Sequence, residues 1–140
     1  MTTPPNKPAP PDLDLIQRVQ AARLAYDAGV LPSQVHGVYW LEVEREAPGP
    51  GPTPRAGRWI IETTAAAVDA LWVTIRAATQ DGRLGYKAKV TTAPRAGGTG
   101  RDQREIHVVT VDAGDAADVE RVRLALAALG LTEMLRYERS

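Results

Sequence analysis

The chain has 140 residues, 44% of them hydrophobic, and its 17 Lys and Arg residues balance 17 Asp and Glu residues. This length and composition indicate one ordinary globular domain, and the zero net charge argues against a protein held to nucleic acid by overall charge. The absence of cysteine excludes disulfides, thiol catalysis and thiolate metal sites. No apolar run is long enough to span a bilayer and no signal-peptide core is visible, so we expect a cytoplasmic protein without membrane contact.

The first half of the chain predicts a tail, a helix and two strands. Residues 1–11 contain five prolines and predict a disordered tail ahead of a single domain over 12–140. Apolar residues at helical spacing predict a helix from Asp12 to Gly29. Strands are predicted over 38–44 and 57–63, and the Pro/Gly-rich run between them is typical of a loop.

The second half predicts two helices and three strands. Thr64 is expected to cap a helix whose apolar face includes Val68, Trp72 and Ile75 and which ends near Gly82. Strands over 87–92 and 105–111 follow, joined by a glycine-rich loop. A helix beginning at Asp112 or Asp115 runs to Gly130, and a short strand covers 134–138. The order α, then ββαββαβ, predicts an α+β fold, a mainly antiparallel sheet of hairpin-linked strands with helices on one face.

One stretch, 83–107, is rich in cations, and we call it the basic hairpin. Its cations are Arg83, Lys87, Lys89, Arg95, Arg101 and Arg104. Lys87 and Lys89 lie two apart on a strand and should share a face, and such a row suits phosphate. The alternative is a solvated sheet face. The glycine loop runs from strand to strand, so it does not match the phosphate loops that precede helices.

The histidines and tryptophans are the other candidates. His107 should lie on the face opposite Ile106 and Val108 and share a surface with Arg104 or Lys89 across the hairpin. It is then a phosphate donor, a general acid or an ordinary solvent-facing side chain. With two histidines and no cysteine, we expect neither a metal centre nor a cofactor. Trp72 is expected in the core, whereas the sequence leaves open to which face of its strand Trp59 points. Trp40, with Glu42 close by, is either a stacking platform for a base or a core residue.

Four segments carry a family resemblance: GRWIIETTAAAVDALW, DGRLGYKAKVTT, EIHVVTVD and ALGLTEMLRY. Over roughly residues 37–139 they resemble the translation initiation factor 4E-like superfamily. They are more closely similar to the basophilic-leukaemia-expressed proteins, also described as phosphothreonine lyase domain-containing. The resemblance implies a curved antiparallel sheet backed by helices.

In cap-binding relatives, a tryptophan and an adjacent glutamate hold the base. The matching stretch here contains Trp40 and Glu42, with the carboxylate one residue late. The resemblance also implies phosphate contacts from Arg58 and Arg104, with Arg95 or Lys89 standing in for a third cation. The lyase description implies β-elimination from phosphothreonine, with Lys89 as base and His107 as acid, although the lysine-x-histidine motif of bacterial lyases is absent.

The leading hypothesis is a binding domain for a phosphorylated ligand, whether a nucleotide or cap-like small molecule, an RNA end or a phosphopeptide. It predicts that Trp40, Arg58, Lys89 and Arg104 converge on one pocket. The alternatives are the lyase and a protein-interaction domain that uses an apolar helix face and the Pro-rich tail. The sequence leaves the oligomeric state open.

Overall fold

The structure is a computed structural model that describes residues 12–19, 29–94, 100–133 and 135–139. Residues 13–19 are helical, and a 3-10 helix covers Pro32–Gln34. The remaining elements are β1 (Trp40–Glu44), β2 (Gly57–Thr64), α1 (Val68–Gln80), β3 (Lys87–Thr91), β4 (Gln103–Thr110), α2 (Ala116–Ala128) and β5 (Leu135–Arg139). The predicted α+β class and element order are therefore confirmed.

The five strands form one sheet in the order β1-β3-β4-β2-β5, and every neighbouring pair is antiparallel. β3 and β4 form the predicted hairpin. The prediction of hairpin links was wrong for β1 and β2, because β1 pairs with β3 and β2 lies between β4 and β5. The long Pro/Gly-rich loop between β1 and β2 runs instead to the C-terminal end of β4. There the Thr53 N–H donates to Val111 O at 2.9 Å.

Alternation along the strands divides the sheet into two faces. Leu41, Val90 and Ile106 point to one face and join Trp72 of α1 and Val122 of α2 in a continuous core. Both helices thus cover the same side of the sheet. The opposite side, which we call the open face, carries the polar strand residues, among them Lys89 and His107.

Three of the four predicted helix-end signals are confirmed. The expected cap at Thr64 was wrong, because Thr64 ends β2 and its Oγ accepts from Ala67 N–H at 3.2 Å in the turn that follows, whereas α1 begins after Ala67 without a side-chain cap. Asp115 caps α2 by accepting from Asp118 N–H at 3.1 Å. Gly82 and Gly130, after the two helices, have φ of +78° and +90°. These left-handed conformations favour glycine and end each helix.

The beginning of the chain is described only in part. The helical prediction is confirmed for residues 13–19, whose side chains are exposed, whereas residues 20–28 and the Pro-rich tail lie outside the described residues. The tip of the glycine-rich loop, residues 95–99, also lies outside them. Within the described residues, no helix has the length and apolar character needed to cross a membrane.

Candidate functional site

A cleft of about 580 Å³ lies on the open face. Strands β1, β2, β4 and β5 all contribute to its walls. The polar and aromatic side chains that matter for its chemistry are Trp40, Arg58, Glu105, His107, Arg136 and Glu138.

Strand register explains why residues distant in sequence meet here. His107 of β4 lies opposite Lys89 of β3 on one side and Ile60 of β2 on the other. Ile60 in turn lies opposite Arg136 of β5. Directly opposed residues point to the same face, so these side chains form a row across the open face.

Trp40 forms the aromatic wall of the cleft. The Lys89 ammonium lies 4.4 Å from the centroid of its ring, which is a cation–π contact. The rings of His107 and Tyr39 meet it edge-on, with centroids 4.8 and 5.2 Å away. Burial lowers the pKa of Lys89, and the nearby charge of Arg58 lowers it further.

A network of carboxylates and arginines forms the opposite wall. The Arg136 guanidinium donates to Glu62, to Glu105 at 3.3 Å and to Glu138 at 3.3 Å. Glu138 also accepts from Arg58 at 3.2 Å. Burial alone would raise the pKa of Glu105, but hydrogen bonds from His107 and Arg136 outweigh burial and lower it. The cleft therefore contains ionised carboxylates beside its cations.

His107 links the two walls. Its side chain is buried, its Nε2 lies 2.9 Å from Glu105 Oε2, and its Nδ1 has no hydrogen-bond partner within the described part of the chain. Burial lowers the pKa of His107, and the hydrogen bond to Glu105 offsets this only in part. The imidazole is therefore neutral near pH 7. Donation from Nε2 to the carboxylate then leaves Nδ1 as an acceptor.

The lowered pKa of His107 predicts a stability change on acidification. Below pH 6.5 a histidine of the unfolded chain becomes protonated, whereas buried His107 stays neutral to a lower pH because its pKa is lowered. The free energy of unfolding should therefore fall as the pH drops below 6.5. Glu105 loses its own contribution only below its usual value of 4.5. Denaturant titrations between these two values should therefore show a shallower decline in His107→Gln than in the unaltered protein.

His36→Gln is the matched control, because His36 is exposed. It should retain the decline of the unaltered protein. An equal slope in His107→Gln and the unaltered protein would contradict a buried neutral imidazole.

The structure brings together only part of the predicted site. Trp40, Arg58 and His107 line the cleft, and Lys89 packs on Trp40. Arg104 does not join them, because it lies three residues from His107 on β4 and its side chain therefore points to the other face of the sheet. Its guanidinium donates to the carbonyls of residues 101 and 103 at 2.8 and 2.9 Å.

The other described cations of the basic hairpin do not line the cleft. Lys87 shares that face with Lys89, as alternation predicts, and pairs with Glu42 at 3.2 Å. Arg83 pairs with Asp81 at 3.3 Å, and Arg95 lies outside the described residues. Within the described residues, the cations at the cleft are therefore Arg58 and Arg136, which line it, and Lys89, which packs on the Trp40 ring beside it.

The other tryptophans lie away from the cleft. Trp72 is fully buried in the core, as predicted. Trp59 faces the helices, where its indole N–H donates to Val119 O at 3.0 Å and its ring meets Tyr137. Of the three tryptophans, only Trp40 lines the cleft.

Sequence reasoning missed the roles of Glu105, Arg136 and Glu138. The pattern LRYER in the last strand places Arg136 and Glu138 on the face opposite Leu135 and Tyr137, which is a usable signal. This pattern predicts that Arg136 and Glu138 share a face, but it does not predict which strand pairs with theirs. Their position in the cleft follows only once β5 is known to pair with β2.

The fold and the cleft define an α+β domain with one open sheet face that carries an aromatic, cationic and carboxylate-lined site. The chain belongs to the family of basophilic leukemia-expressed protein Bles03, whose family model matches residues 53–139, more than half of the chain. The matched region contains β2, β4 and β5, which line the cleft, but not β1, which carries Trp40. No curated protein matches the chain. In the described residues, no cluster of three or more His, Asp or Glu side chains is suited to a metal ion.

Proposed function

We propose that this protein binds a phosphorylated ligand in the cleft on the open face. The observation that carries the proposal is the position of an aromatic ring, Trp40, and a cation, Arg58, in the lining of one cleft, with a second cation, Lys89, 4.4 Å from the centroid of the Trp40 ring. Guanidinium and ammonium groups donate charge-assisted hydrogen bonds to phosphate oxygens, and an indole ring stacks on flat groups. The Arg58 side chain is 30% exposed, so part of its guanidinium is accessible to a ligand.

The carboxylates narrow the choice of ligand. Glu105 and Glu138 are acceptors and repel an extended polyanion, so they suit a ligand that carries N–H donors as well as phosphate. A nucleotide with an amino-bearing base combines a flat ring, N–H donors and phosphate in one molecule. We therefore place a nucleotide-like ligand, free or at an RNA end, ahead of a phosphopeptide.

The fold also supports a relationship between this family and a larger superfamily, which is part of the same proposal. We place the family within the translation initiation factor 4E-like superfamily, on the basis of the ββαββαβ order and the antiparallel sheet backed by helices on one face. Trp40 would then be the stacking residue and Arg58 the phosphate contact.

Ligand titrations monitored by tryptophan fluorescence test the proposal. Purine nucleotides, a cap analogue and a phosphothreonine peptide should be compared at low salt, and a nucleotide should quench the fluorescence of Trp40. Arg58→Ala should weaken binding by about 10- to 100-fold, since a hydrogen bond to a charged group contributes about 1.5–3 kcal/mol.

Arg104→Ala is the matched control, because Arg104 is an arginine of the neighbouring strand that points away from the cleft. It should bind like the unaltered protein. The proposal fails if no phosphorylated compound quenches the fluorescence, or if the two arginine variants lose affinity equally.

One observation favours a second candidate, phosphothreonine β-elimination. The lowered pKa of Lys89 brings the neutral amine closer to physiological pH, as a general base requires. Lys89 would take the α-proton, the Cβ–O bond would break, and phosphate would leave with the bonding electrons to give a dehydrated residue and inorganic phosphate.

The neutral His107 is a poor acid for that leaving group, which is why binding ranks first. Mass spectrometry of a phosphothreonine peptide should show loss of phosphoric acid with the unaltered protein and no loss with Lys89→Ala. An unchanged peptide in both would remove this candidate.

A further inference from the structure

Strand β5 lies at one edge of the sheet. It pairs with β2, and within the described residues no other strand lies beside it. The other edge of β5 therefore presents backbone N–H and C=O groups without strand partners in the described chain. Such an edge is a template for pairing with another strand.

The hydrogen-bond pattern shows which residues present these groups. Ala65 N–H donates to Asp102 O at 2.7 Å, so along β2 the residues bonded to β4 are the odd-numbered ones, such as Trp59 and Ile61. The even-numbered residues of β2 bond to β5, where their partners are Arg136 and Glu138. The backbone groups that face the open edge therefore belong to residues 135, 137 and 139.

We propose that β5 pairs antiparallel with β5 of a second copy of this chain, with a twofold axis at Tyr137. The argument is charge complementarity. In this register, Arg136 lies directly opposite Glu138 of the second copy, and Glu138 lies opposite Arg136 of that copy, on the open face of a continuous ten-stranded sheet. Opposite charges at directly opposed positions stabilise a strand pair. The side chains of Arg136 and Glu138 remain 38% and 44% exposed, so both are accessible to the second copy.

The other antiparallel registers are less favourable. An axis at residue 136 would place the two Arg136 side chains opposite each other, and an axis at residue 138 would do the same with the two Glu138 side chains. Like charges at these positions destabilise a pair. An axis at residue 135 or 139 would leave only the end of the five-residue strand paired. The register centred on Tyr137 uses the whole strand and pairs opposite charges.

Sedimentation equilibrium tests the association. A single-strand interface is small, so we expect a dimer that dissociates on dilution, with the average mass rising from 15.1 kDa towards twice that value between about 10 and about 1,000 µM. Arg139→Pro removes an edge-facing N–H without touching a bond to β2, and should weaken association by about tenfold or more, because the loss occurs twice per dimer.

Arg139→Ala is the matched control, since it loses the same side chain but keeps the N–H, and it should associate like the unaltered protein. The inference is overturned by a monomer throughout this range, or by equal association of the proline and alanine variants.

Disulfide trapping tests the register independently, and the chain has no native cysteine to interfere. Arg136→Cys mixed with Glu138→Cys under oxidising conditions should give a disulfide-linked heterodimer, whereas each variant alone should not cross-link. Cross-linking of either variant alone, or none in the mixture, would contradict an axis at Tyr137. The circular dichroism of each variant shows whether the fold is retained.

Discussion

Replacing Trp72 by alanine is expected to lower the free energy of unfolding by about 3–5 kcal/mol, the cost of deleting a large aromatic side chain from a packed core. Trp72 is 0% exposed and lies on the face of α1 that packs on the sheet, within the same core cluster as Ile75 and Leu41. A domain of this size has only about 5–15 kcal/mol of net stability. The variant should therefore be close to the limit of folding.

Denaturant titration followed by circular dichroism measures this effect, and Val73→Ala is the matched control. Val73 is the next residue of the same helix, but it is 42% exposed, so its loss should cost less than about 1 kcal/mol. The Trp72 indole N–H is buried without a hydrogen-bond partner in the described residues. Trp72→Phe should therefore cost less than Trp72→Ala, because phenylalanine keeps much of the volume and removes an unpaired donor. Equal losses in Trp72→Ala and Val73→Ala would contradict the central position of Trp72.

Local signals in the sequence predicted the elements because each signal acts over a few residues. Asp115 marks a helix start through its side-chain hydrogen bond to a nearby N–H group, and Gly82 and Gly130 mark helix ends through positive φ. The order of the strands depends instead on how distant apolar faces pack. The position of β2 between β4 and β5 could not be read from its own residues.

The sequence predicted those parts of the site that depend on the alternation of side chains along a strand and on pairing between strands that are adjacent in sequence. The sequence predicted that His107 shares a face with either Arg104 or Lys89 of the same hairpin, and the structure places Lys89 directly opposite it. Arg104 was expected in the site both as a cation of the basic hairpin and by resemblance, but it lies three residues from His107 on β4 and therefore points to the other face. Arg136 could not be predicted, because its place in the cleft depends on a pairing between strands far apart in sequence.

Replacing Arg136 by methionine is expected to destabilise the fold by about 2–4 kcal/mol at pH 7. Methionine keeps most of the side-chain volume but removes the charge that pairs with Glu62, Glu105 and Glu138. Removing one partner of a buried ion pair costs about 3–5 kcal/mol, and the range here is lower because the Arg136 side chain is 38% exposed. Glu105, which is only 8% exposed, bears most of the cost because, among the residues that the structure describes, its carboxylate keeps only His107 as a side-chain partner.

Arg123→Met is the matched control for chemical denaturation, because Arg123 pairs with Glu120 on the exposed surface of α2, where solvent screens the pair, and should change stability little. The deficit of Arg136→Met relative to the unaltered protein should shrink as the pH falls and the uncompensated carboxylates become protonated. Adding Glu105→Gln to Arg136→Met should recover part of the loss at pH 7, because a neutral amide does not need the missing cation. A deficit as small as that of Arg123→Met, or one that does not change with pH, would show that Arg136 does not hold the carboxylate wall of the cleft together.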